Sequence, residues 1–117
     1  GDILAADGSV LAGARRDGAF VSAVELIASG ALPPIQRERA NTTLACLCTD
    51  ARLTKLEAYM VARAMNAGLA RAVSPAATGF DGDMTFVLAS GERDADLLTV
   101  STMAAEATTL AIRDAVS

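Results

Sequence analysis

Residues 42–49 read Thr42-Thr43-Leu44-Ala45-Cys46-Leu47-Cys48-Thr49, two residues after the polar stretch Gln36-Arg37-Glu38-Arg39. The change in character at Asn41-Thr42 organises the rest of the chain. The eight residues are a continuous β-compatible run of the kind found in strands buried on both faces. The segment before them, Ala31-Leu32-Pro33-Pro34 and then Ile35 to Asn41, has neither helical nor strand periodicity and reads as an exposed linker. Thr42 therefore stands at a loop-to-strand junction.

Toward the C-terminus, Thr54 with Glu57 three residues later forms a capping-box pattern, and apolar residues continue at Met60, Val61, Ala64, Met65 and Leu69, predicting a helix. Asp81-Gly82-Asp83 then leads into a second apolar β run, Met84 to Ala89. After Gly91 an Ala/Leu-rich helix is expected from Asp94 to about Val116. Toward the N-terminus, Asp7-Gly8 joins Asp2–Ala6 to Ser9–Ala12 as a hairpin. Phe20, Val21, Val24, Leu26 and Ile27 recur at helical spacing up to Gly30, a C-cap signal. Buried strands alternating with amphipathic helices point to a layered α/β or α+β sandwich, with no fixed-period repeat.

Bulk properties narrow the chemistry. A chain of 117 residues with 52% hydrophobic content has the profile of one folded domain, and its opening without a Met leads us to treat it as a possible fragment. Fourteen acidic against ten basic residues give a net charge of -4 with no Lys/Arg stripe, which argues against nucleic-acid binding. Apolar runs fall far short of the roughly 20 residues a membrane helix needs, and no leader pattern is visible, so a cytoplasmic location is expected. Cys46 and Cys48 point to one face of a strand, cannot staple the fold, and are expected as reduced, buried thiols. Two thiolates without further ligands make a poor metal site. The chain has no His, which removes Ser-His-Asp, Cys-His and His-metal chemistry from its own repertoire.

A hydroxyl at the start of a buried strand, behind a polar linker, is what an N-terminal-nucleophile hydrolase requires. Cleavage before Thr42 would free an α-amine, whose unperturbed pKa near 8 leaves a substantial neutral fraction to act as base. Attack of the same hydroxyl on the Asn41 carbonyl would account for the cleavage itself. Read from pattern alone, Thr42 and Thr43 can equally just begin a strand, where Thr is common, and Asn41-Thr42-Thr43 also matches a glycosylation sequon. Asp81 and Asp83 flank a Gly, so both carboxylates can turn to one side of a tight loop. An ordinary turn explains the same residues, and a calcium loop would need more oxygen ligands than Met84 to Leu88 provides.

Four ordered blocks add a resemblance. Asn41-Thr42-Thr43-Leu44-Ala45, Thr49-Asp50-Ala51-Arg52-Leu53-Thr54-Lys55, Ala67-Gly68-Leu69-Ala70-Arg71-Ala72 and Phe80-Asp81-Gly82-Asp83 resemble the DmpA-like aminopeptidase family, closest to its branch that hydrolyses 6-aminohexanoate (nylon) oligomers. The resemblance implies an αββα sandwich of the type shared with ornithine acetyltransferases, of which this chain would carry only the C-terminal part. It further implies one precursor cut between Asn41 and Thr42, with residues 1–41 ending the larger subunit and 42–117 forming the smaller. Thr42 would be the nucleophile and Asp81 and Asp83 its supporting carboxylates. The rest of the precursor would be its partner, in a tetramer of processed heterodimers acting on small amides, with neither cofactor nor metal. The family often has Ser where this chain has Thr42, as the nylon-oligomer branch does. A Lys and an Asn that the family draws from the larger subunit match nothing in Gly1 to Asn41, and Lys55 and Asn66 are read as surface or packing residues. Short-peptide aminopeptidase action and a non-catalytic α/β subunit are the competing readings.

Overall fold

Two parallel strands and the two helices that follow them form the centre of the molecule. In the computed structural model, which describes residues 1–31 and 42–117, β5 (Leu44–Ala51) pairs in parallel with β7 (Met84–Arg93). The connection between them includes α2 (Lys55–Ala72), and β7 is followed by α3 (Leu97–Asp114). The alternation of the strands sorts their side chains: Ala45, Leu47 and Val87 turn to the helices and pack on a core of Val61, Met65 and Ala104. Val61 and Met65 are fully buried, and side chains of this size each contribute on the order of 1.5–3 kcal/mol when removed from water.

The two long helices each begin at a side-chain cap. Thr54 accepts from the Glu57 N–H at 3.2 Å while the Glu57 carboxylate accepts from the Thr54 N–H at 2.8 Å, a complete capping box. Asp96 does the same service for α3, accepting from the N–H of Thr99 at 2.8 Å. The two helices approach closely where α2 has Gly68: a Cβ there would run into the backbone carbonyl of Ala105. Thr109, itself buried, donates its hydroxyl to the Gly68 and Ala105 carbonyls across that crossing.

The N-terminal residues join this body through a small antiparallel sheet. β1 (Asp2–Leu4) pairs with β2 (Val10–Ala12) around the Asp7-Gly8 turn and, on its other side, with β6 (Val73–Ser74) at the end of α2. Arg113 of α3 donates to the carbonyls of Leu4 at 2.8 Å and Ala5 at 3.4 Å, tying the same strand to the last turn of the molecule. The buried Asp2 carboxylate accepts from the N–H of Ala23 at 2.7 Å and so holds the start of α1 (Ala23–Ala28).

The mixed α+β architecture matches the expectation, and several details differ. The hairpin of β3 (Arg15–Arg16) and β4 (Ala19–Phe20) was not anticipated, although Asp17-Gly18 repeats the turn dipeptide of Asp7-Gly8 and both residues have positive φ. It shortens the helix expected from Phe20, which starts only after its N-cap Ser22. β7 continues through Gly91, whose φ of 77° accompanies an irregularity in the pairing with β5, instead of ending before it. Most consequential, β5 is not buried on both faces: Leu44, Cys46 and Cys48 are exposed, beside Met84, Phe86 and Leu88 of β7, because the helices cover only one side of the pair among the described residues. The expected burial of the two thiols fails for the same reason. The linker and Asn41 lie outside the described residues.

Candidate active site

Thr42 precedes β5 by two residues, and its surroundings are built by the loop that feeds β7. The parallel ladder extends one step beyond the strand, with the N–H of Met84 donating to the Thr43 carbonyl at 3.0 Å. The N–H of Thr43 in turn donates to Asp83 Oδ1 at 2.8 Å, so that the loop grips Thr43 through both of its backbone polar groups. Gly82 lies against Thr42: a Cβ built on Gly82 would stand 2.9 Å from Thr42 Oγ1. Thr42 itself is exposed at the mouth of this arrangement.

Asp81 is held differently from Asp83. Its Oδ2 accepts from both the hydroxyl of Thr78, at 2.8 Å, and the N–H of Thr78, at 2.9 Å, while its own N–H donates to the Thr78 carbonyl at 3.1 Å. The Thr78 hydroxyl, and then the Thr78 amide, hold the Asp81 carboxyl below the usual carboxylate range, outweighing the opposing effect of partial burial. The two acids flanking Gly82 therefore have separate structural duties, one closing the loop on itself and the other fastening the loop to the strand that carries Thr42. Phe80, in the same loop, is exposed.

The arrangement brings together Thr42, Asp83 and the Asp81 loop from segments some forty positions apart. Thr78 and Gly82 were not singled out from the sequence as site residues. The first had a usable signal, since Thr-x-x-Asp is the spacing at which a hydroxyl and a carboxylate close a turn on each other. A shallow depression of about 580 Å³ lined by Cys48, Thr49, Asp50, Leu88, Ala89 and Ser90 lies on the open sheet toward the far ends of β5 and β7. It is part of the uncovered apolar face, away from the Thr42 end. Among the described residues no cluster of three or more His, Cys, Asp or Glu could hold a metal ion, and no helix is long and apolar enough to cross a membrane.

Comparison with known proteins gives this geometry its context. An "Uncharacterized aminopeptidase" of Mycobacterium leprae is 46% identical over 55 residues, covering 47% of this chain and 15% of that protein. Proteins of the same description from Mycobacterium bovis and Mycobacterium tuberculosis are 43% identical over 51 residues, covering 44% of this chain and 15% of each. The matched segment is thus a small part of each relative's length. The profile of Peptidase family S58 matches residues 7–117, from the first hairpin turn to beyond α3, and on that match the chain belongs to peptidase family S58, the DmpA-like aminopeptidases.

Proposed function

We propose that this chain carries the nucleophile of a self-processing amide hydrolase, with Thr42 as the attacking residue and 6-aminohexanoate oligomers, linear or cyclic, as substrates. The observation that carries the reading is the double grip on Thr43: the loop of Asp81, Gly82 and Asp83 fixes the backbone next to Thr42 and leaves the Thr42 side chain exposed beside it. Cleavage after Asn41 would leave residues 1–41 and 42–117 as parts of two subunits and free the Thr42 α-amine. In the hydrolytic cycle that amine takes the hydroxyl proton as Oγ1 attacks the amide carbonyl. The proton passes to the leaving nitrogen, and an ester on Thr42 forms. Water, deprotonated by the same amine, then attacks the ester, releases the carboxylic acid and returns the hydroxyl. The Asp81 and Asp83 side chains support the nucleophile, favouring the charged form of the amine during each transfer and orienting the hydroxyl.

A second reading, aminopeptidase action on short peptides or amino-acid amides, is favoured by the description of the mycobacterial relatives and uses the same nucleophile with a different pocket. Completion of the site by the rest of the polypeptide, and assembly into a tetramer, belong to either version. Intact-protein mass spectrometry of the full-length gene product and of Thr42→Ala tests the common core. Wild-type cleavage between Asn41 and Thr42, abolished in the variant together with hydrolysis of amide oligomers, is the expected result. Wild-type protein that stays intact, or a Thr42→Ala variant that still cleaves, removes the proposal and leaves a non-catalytic subunit as the better account.

A further inference from the structure

We infer that Gly82 is a positioning residue for the Thr42 hydroxyl, its missing side chain reserving the volume in which Oγ1 sits. The inference rests on the reading of Thr42 as nucleophile and adds to it the reason why a glycine separates the two acids. An ideal Cβ at Gly82 would lie 2.9 Å from Thr42 Oγ1, whereas the Cβ and Cγ2 of Thr42 are each 3.9 Å away, at ordinary contact distance. The conflict is therefore with the hydroxyl oxygen alone. Gly82 does not have the left-handed φ that obliges a glycine, unlike Gly8, Gly18, Gly30 and Gly91. Its main chain would accept alanine. Gly79, in the same loop and also without positive φ, has open space where its Cβ would be, so crowding is specific to Gly82.

What makes the contact consequential is that the chain next to each partner is tied down. Asp83 Oδ1 holds the Thr43 N–H at 2.8 Å, the Met84 N–H holds the Thr43 carbonyl at 3.0 Å, and Asp81 is closed onto Thr78 by two bonds to Oδ2. A methyl group on Gly82 is thus relieved by turning Thr42 about χ1, which carries Oγ1 into another staggered well. The fold keeps its hydrogen bonds while the nucleophile leaves its position. A misplacement of about 1 Å at reacting atoms costs on the order of 10²-fold in rate.

The test compares wild type, Gly82→Ala, Gly79→Ala and Thr42→Ala in the full-length gene product, reading the thermal midpoint, the rate of cleavage after Asn41, and kcat and KM of the processed enzyme on a linear 6-aminohexanoate trimer. Gly82→Ala is expected to melt within a few degrees of wild type and to cleave itself about 10²-fold more slowly, with kcat reduced by a similar factor at nearly unchanged KM. Gly79→Ala should behave as wild type. A Gly82→Ala protein that cleaves and turns over normally, that raises KM with kcat intact, or that loses its fold overturns the inference while leaving a silent Thr42→Ala to support the nucleophile. Cleavage by Thr42→Ala, or none by wild type, overturns the nucleophile reading and this inference with it.

Discussion

Thr78 gives both its hydroxyl and its amide proton to one oxygen of Asp81, and the consequence can be measured as acid titration. A carboxyl whose folded pKa lies below its unfolded value contributes stability that is present above the unfolded value and lost as pH falls through the folded one. Removing the hydroxyl with Thr78→Val should move the Asp81 pKa up toward its ordinary 3.8, as read by NMR of the side-chain carboxyl. The gap in melting temperature between wild type and variant should be widest near neutral pH and should narrow as pH drops below that value. An Asp81 titration identical in the two proteins would mean that the Thr78 hydroxyl does not set its charge. At this scale Thr42, Asp81 and Asp83 were singled out by the family resemblance of the blocks that hold them, since on pattern alone a strand start and an ordinary turn account for the same residues. Gly82 was legible only as a turn former, since the reason for its bareness is a contact with a residue forty positions earlier.

Between elements, the crossing of α2 and α3 depends on a residue with no side chain. Gly68 sits in a helix, where alanine is intrinsically better by about 1 kcal/mol. Its Cβ would nevertheless meet the Ala105 carbonyl, a backbone atom that cannot rotate aside. Gly68→Ala should therefore destabilise by about 1–3 kcal/mol despite the propensity gain, the range typical of overpacked cores. Thermal or urea unfolding of the full-length gene product checks this, and a variant more stable than wild type would show that the helices have room to separate. Helix α2 was readable in sequence from its capping box and periodicity, α3 from its Ala/Leu-rich composition after Gly91, though placed from Asp94 instead of Leu97, and β5 and β7 from their apolar runs. The burial of β5 was misjudged because a run such as Leu44 to Cys48 is apolar on both faces, and composition does not say which face its own chain covers. β6, two residues long, was missed because Val73-Ser74 is a strand only through its pairing with β1.

Taken whole, the chain presents an apolar sheet face with nothing from its own described residues upon it. Leu44 and Leu88 are 66% and 62% exposed, and Met84 and Phe86 lie between them in register. We propose that the rest of the polypeptide covers this face, the segment matched in the relatives being 15% of their length. A cut after Asn41 would leave β1 and β6, and Leu4 and Arg113, on different polypeptides. What was a loop closure within one molecule would become a bimolecular equilibrium. The precursor should melt at a temperature independent of protein concentration, whereas the processed form, if its pieces separate on unfolding, should melt higher as concentration rises. Differential scanning calorimetry of Thr42→Ala and wild type across a hundredfold dilution series tests this, and parallel behaviour of the two would mean that the strand pairing and the arginine do not hold the severed ends. Maturation would then do more than unmask an amine: it would make survival of the fold a matter of dosage.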